Sequence, residues 1–138
     1  MYLLDTNVVS VLRKVRAARA GKYVARWADS VDTTALYLST ISIPELALGV
    51  LLIERRDPTQ GSLFRTWLKR NALPGFADRI LPVDAAVALR SAMLHVPDPM
   101  PTSDALIAAT ALVHGKVLVT RNESGFQSTG VGLINTSE

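Results

Sequence analysis

Asp5, Glu45 and Asp104 each stand beside an apolar run. Asp5 closes Met1-Tyr2-Leu3-Leu4, Glu45 lies just past Leu36-Tyr37-Leu38, and Asp104 opens the apolar segment 105–113. Ionised carboxylates are rarely left unpaired beside buried apolar surface, because desolvation costs several kcal/mol. If the three converge, a positive group must sit among them, and a divalent cation is the simplest candidate. The chain has no cysteine, and its two histidines, His95 and His114, are too far apart in sequence to suggest a zinc cage. Oxygen ligands alone select a hard cation, Mg2+ first and Mn2+ next. Such a centre suits phosphoryl chemistry, since it polarises a phosphate oxygen, lowers the pKa of water and orients an in-line attack. Taken singly, each acid also has a structural role open to it. Asp5-Thr6-Asn7 reads as a turn into a helix, Glu45 as the partner of Ser42 in a capping box, and Asp104 as a favourable acid at a helix start. Acids recurring after strand-like runs favour the metal site.

The elements that must position these acids alternate along the chain. Residues 2–4, 36–38, 80–83, 117–119 and 131–134 read as short strands, and residues 6–14, 22–31, 43–56, 61–71, 85–95 and 104–114 as helices. That alternation predicts an α/β fold with a mainly parallel sheet of four to five strands, covered on both faces. In such sheets ligands bind beyond the carboxyl ends of the strands, where the strand order reverses. Asp5, Glu45, Asp104 and the segment Thr120-Arg121-Asn122 are all expected at that edge. Asp84 reads as an N-cap and His114-Gly115 as a helix stop. Trp27, Trp67, Phe64 and Phe76 fall among helical apolar positions and read as core or interface rather than as base-stacking platforms. Residues 43–53 are apolar on too many faces for a monomer surface, which predicts a homodimer contact.

A length of 138 residues suits one domain, 1–138, without linker or internal repeat. Hydrophobic content of 49% with 20% charged residues describes a folded core, not a disordered chain. No apolar run reaches the ~18 residues of a membrane span. The start carries no basic, cleavable leader, so a cytoplasmic protein is expected, consistent with the absence of cysteine. Net charge is +3, and between Thr6 and Ala28 there is no acid while Arg13, Lys14, Arg16, Arg19, Lys22 and Arg26 all occur. That cluster can attract phosphates, and a solvated helical face explains it equally well.

These blocks, in this order, resemble the PIN-domain ribonucleases, specifically the VapC/FitB-like toxins of type II toxin–antitoxin pairs. Leu3-Leu4-Asp5-Thr6-Asn7-Val8-Val9-Ser10 is similar to the family's opening motif. The run from Leu38 through Ser42, Pro44 and Glu45 to Gly49 is similar to its second block. Asp104 to Ala111 with His114-Gly115 and Leu118-Val119-Thr120-Arg121-Asn122 is similar to its third. The resemblance spans nearly the whole chain and implies a PIN-like three-layer α/β/α sandwich. It implies a Mg2+- or Mn2+-dependent endoribonuclease that hydrolyses RNA phosphodiesters by metal-activated water. Asp5 and Asp104 would be direct metal ligands, with Glu45 completing the acidic set through water or by orienting the nucleophile. Thr6 would position a ligand or a phosphate, and Arg121 is a substrate candidate. Asn122 occupies a position that is aspartate in some members, so the site carries three formal negative charges here. A cognate antitoxin whose arm covers the groove is the implied protein partner.

Two other readings stay open at this point. One is a catalytically inactive PIN-like module that binds RNA or a protein. The other is a phosphate-accepting enzyme or receiver with Asp5 as nucleophile, which leaves Glu45 and the basic stretch without a purpose.

Overall fold

The computed structural model describes residues 1–16 and 22–136. Of the basic stretch, Arg19 therefore lies outside the described residues. The chain begins with strand β1 (Tyr2–Leu4), then helix α1 (Thr6–Arg16) and helix α2 (Lys22–Ser30). Strand β2 (Leu36–Ser39) leads into α3 (Ser42–Arg56) and α4 (Pro58–Trp67), and a π-helical turn over Leu68–Ala72 joins α4 to the short α5 (Leu73–Gly75). Next come β3 (Ile80–Leu81), α6 (Ala85–Met93), α7 (Thr102–His114), β4 (Val117–Thr120) and β5 (Leu133–Asn135).

All strand pairs are parallel, in the order β3-β2-β1-β4-β5. The chain builds the sheet outward from β1 on one side, then crosses over to place β4 on the other. The order thus reverses between β1 and β4, and in sheets of this kind ligands bind beyond the carboxyl ends of the strands at such a reversal. Strand residues alternate between two cores. Leu4, Leu36, Leu38 and Val119 face a cluster with Val8, Val9, Leu46, Val50, Phe64 and Leu68 from α1, α3, α4 and the π turn. Leu3 and Leu118 face the other, with Ile107, Ala108 and Ala111 from α7 and with Phe126. The result is the three-layer α/β/α sandwich, with five strands. α7 is buried on nearly every side, as its almost unbroken apolar sequence requires. No helix among the described residues is long and apolar enough to cross a membrane.

Several boundaries differ from those expected. α4 starts at Pro58, three residues before the expected start at 61, because Asp57 caps it by accepting from the Gln60 N–H at 3.1 Å. The expected helix 61–71 gives way to the π turn, where Leu73 N–H reaches the Leu68 carbonyl. That widening accommodates Pro74, whose ring would meet the Arg70 carbonyl in a continuous α-helix. β3 is two residues long because Pro82 cannot donate to a ladder. β5 begins at Leu133, since Val131 is drawn into the core instead. Gly61 lies where α4 crosses α3, and a Cβ there would collide with the Glu54 backbone. Asp84 caps α6 through the Val87 N–H, and Gly115 ends α7 at φ 64°, both as expected.

Candidate active site

The pairing of β1 with β4 sets the centre of the site. Leu4 lies opposite Val119, so the next residues, Asp5 and Thr120, face each other on the side of the sheet covered by α7. The Asp5 N–H continues the ladder to the Val119 carbonyl at 2.9 Å. The Thr120 hydroxyl donates to Asp5 Oδ2 at 2.8 Å and accepts from the Asn122 N–H at 2.9 Å. Thr6 N–H donates to Asp5 Oδ1 at 2.8 Å, so both carboxylate oxygens are held. Asp5 is only 6% exposed.

Glu45 reaches the same group by another route. The Thr6 hydroxyl donates to Glu45 Oε1 at 2.7 Å and lies 2.8 Å from the Ser42 hydroxyl. The expected capping box is therefore not formed. α3 begins at Ser42 itself, with Ile41 in the cap position and no side-chain cap. Ser42 falls inside the first turn, fully buried, and its hydroxyl turns to Thr6. Asp104, expected as the first residue of α7, is its third, because the helix starts at Thr102 straight after Pro101. It is half-buried, with no hydrogen-bond partner among the described residues.

The charges show that the acids share a neighbourhood. Burial pushes the Asp5 carboxyl above its ordinary value, the bonds from Thr120 and Thr6 pull it back, and the charges of Asp104 and Glu45 add to the rise. Asp104 is raised by burial and then by Glu45. Burial leads in both cases, and the like charges of neighbouring acids add to it. Among the described residues, however, no three histidine, aspartate or glutamate side chains stand close enough to hold an ion jointly. The acids feel one another without closing into a cage. The donor set, carboxylates with hydroxyls around them and no thiolate, fits a hard cation, which would relieve the repulsion.

The remaining candidates lie at the rim. Asn122 enters through its backbone, while its side-chain oxygen accepts from the Ser124 hydroxyl at 3.2 Å. Arg121 is exposed beside it. The sequence places Thr120 at this edge only as part of the segment 120–122 and reads Ser42 only as a cap, so it gives neither a role in the site. A polar residue ending the apolar run 117–119 was the available signal for Thr120. Ser42 offered only its capping role.

A parallel sheet that brings acids to the carboxyl ends of its strands, where the strand order reverses, defines an α/β class of site. The chain belongs to the PIN-domain family, whose profile matches residues 2–131. It is similar to the VapC ribonuclease Y4jK of Sinorhizobium fredii, 35% identical over 143 residues covering 100% of this chain and 99% of the relative. It is similar to toxin FitB of Neisseria gonorrhoeae, 34% identical over 140 residues, with 98% and 97% covered. The crystal structure of FitAcB from Neisseria gonorrhoeae matches with a TM-score of 0.86 at 34% identity, covering 99% of this chain and 98% of that one.

Proposed function

We propose that this chain is the toxin of a type II toxin–antitoxin pair, an endoribonuclease that needs Mg2+ or Mn2+ and acts in the cytoplasm. The relatives named VapC ribonuclease and toxin FitB, matched over nearly their whole length, support the class of activity. The observation that carries it in this molecule is the buried Asp5, held at both oxygens while Asp104 and Glu45 press their charge upon it. Asp5 and Asp104 would hold the cation directly and Glu45 through water, which suits three acids that do not close into one cage. When bound, the cation supplies Lewis acidity toward a phosphate oxygen and a lower pKa for water.

The chain's own contribution is preorganisation. Thr120 and the Thr6 N–H fix the plane of the Asp5 carboxylate before any substrate arrives. Thr6 holds Glu45 by one oxygen and leaves Oε2 for a proton or a water. Its hydroxyl is committed there, so a role for Thr6 in gripping phosphate gives way to one in holding Glu45. Arg121, exposed at the rim, is placed to attract the RNA backbone. The cognate antitoxin restrains the enzyme, and a bidentate arginine is the natural cation for it to present to the acids. A homodimer would cover Leu48, Leu51 and Leu52 of α3, all more than half exposed.

The test is cleavage of RNA by the purified chain with Mg2+ or Mn2+ and with EDTA, beside the Asp5→Asn variant. Metal-dependent cleavage lost in the variant is expected. Equal cleavage by both proteins, with contaminating nucleases excluded, rejects the assignment.

A further inference from the structure

We propose that Ser42 is a positioning residue of this site, acting on Glu45 through Thr6. The inference rests on the ribonuclease reading for its catalytic meaning and on hydrogen-bond accounting for its geometry. The Thr6 oxygen lies 2.8 Å from the Ser42 hydroxyl and 2.7 Å from Glu45 Oε1. A hydroxyl owns one proton, and a carboxylate only accepts. Thr6 must therefore give its proton to Glu45, and the bond to Ser42 can form only if Ser42 donates. The polarity of the chain is fixed: Ser42 O–H to Thr6 oxygen, Thr6 O–H to Glu45 Oε1.

Burial makes the first link consequential. Ser42 is 0% exposed and sits in the first turn of α3, so its own hydroxyl is shielded from water that would compete with Thr6 for its proton. Thr6 is β-branched, with few side-chain rotamers to choose from. Donation from behind holds the rotamer in which its hydroxyl faces Glu45, while its N–H holds Asp5. One residue thus sets the spacing of two carboxylates, and Ser42 sets that residue. The companion chain beside it has the same polarity without ambiguity. There the Asn122 N–H, which can only donate, reaches Thr120, and the Thr120 hydroxyl reaches Asp5.

The experiment compares Ser42→Ala, Ser42→Thr, Thr6→Val and the double variant Ser42→Ala/Thr6→Val. Ser42→Ala is expected to lower kcat about tenfold with KM little changed, as loss of an outer hydrogen-bond partner does. Ser42→Thr, which restores a hydroxyl, should recover most of it. On the Thr6→Val background, where the relay is already cut, Ser42→Ala should cost less than about twofold more. Wild-type kcat in Ser42→Ala, or full multiplication of the two losses, overturns the proposal. A crystal structure of Ser42→Ala reads the arrangement without catalysis. The Thr6 hydroxyl should leave Glu45, and an unchanged Thr6–Glu45 bond overturns the relay. If the wild-type chain cuts no RNA, the ribonuclease reading falls, and the relay is still judged by that structure.

Discussion

Helix α1 joins two unlike regions of one molecule. Its first residue, Thr6, is bonded into the acids at the carboxyl edge of the sheet. Seven residues later, roughly 10 Å along the axis, Arg13 lines a cavity of about 440 Å³ bounded by Trp67, Phe76 and Arg79, near the amino ends of β2 and β3. At that far end the charges are answered. Arg13 stacks over the Phe64 ring at 4.4 Å, and Arg79 donates to the carbonyls of Leu36 and Gly75 and pairs with Asp78. At the carboxyl edge the acids lie near one another, and the buried Asp5 and half-buried Asp104 carboxyls are both pushed up, first by burial. One end of the sheet is arranged for stability, and the other keeps carboxyls where burial and neighbouring charge disfavour their ionised form.

If that division is right, substitutions at the two ends should fail in different ways. Asp5→Asn keeps the shape and removes the charge. It should lower RNA cleavage by about 10³-fold or more, equivalent to roughly 4 kcal/mol of transition-state stabilisation, with little loss of fold. Single-turnover cleavage beside a melting curve measures both. Phe64→Ala does the reverse. It empties a core position that is 6% exposed and removes the ring beneath Arg13, which should cost about 3–5 kcal/mol. Urea unfolding reads that loss, while kcat of the folded fraction should stay near wild type. A Phe64→Ala protein with intact stability but no activity would dissolve the distinction.

A cation should act at one end only. Mn2+ or Mg2+ at about 100 times its Kd stabilises a single site by roughly 2.7 kcal/mol. Differential scanning fluorimetry should show the melting temperature of the wild type rising with metal and that of Asp5→Asn rising far less. Equal shifts in both proteins would move the ion away from Asp5.

The sequence carried the sheet and the edge that gathers the acids, because apolar strand runs and the residues that end them are local features. What it could not carry depends on pairing between distant segments. The Thr120–Asp5 bond requires β4 to lie beside β1, in a register that sets those residues opposite each other. Ser42 has the spacing of a cap relative to Glu45, yet β2 and the turn at Thr40 and Ile41 start α3 one residue too early for that role. Asn122 looks like a fourth ligand by position, but Ser124 two residues on offers its side chain a nearer partner. The basic stretch reads equally well as a phosphate-attracting cluster or as a solvated helical face. Arg13, its first member, lines the distant cavity.

Asp104 gives the smallest expected effect and the cleanest sign. It is half-buried without a hydrogen bond among the described residues, and its carboxyl lies above the ordinary value through burial and the charge of Glu45. Below pH 3.8 the carboxyl is protonated in both folded and unfolded chains, and it contributes nothing to the difference between them. As pH rises past 3.8 the unfolded chain ionises first while the folded chain keeps its proton. The folded state then binds more protons, so stability falls until the folded carboxyl has also ionised. Above that window the deficit is constant. Asp104→Asn should therefore stabilise the metal-free protein at neutral pH, by about 0.5–1 kcal/mol, and flatten this part of the pH profile. With metal the order inverts, because the cation turns the same charge into an attraction that only the wild type makes. Melting curves from pH 3 to 7, with EDTA and with Mn2+, would show the two proteins exchanging rank. If Asp104→Asn is the less stable protein in EDTA as well, the carboxylate has a partner that offsets its burial, and the acidic edge is not under repulsion.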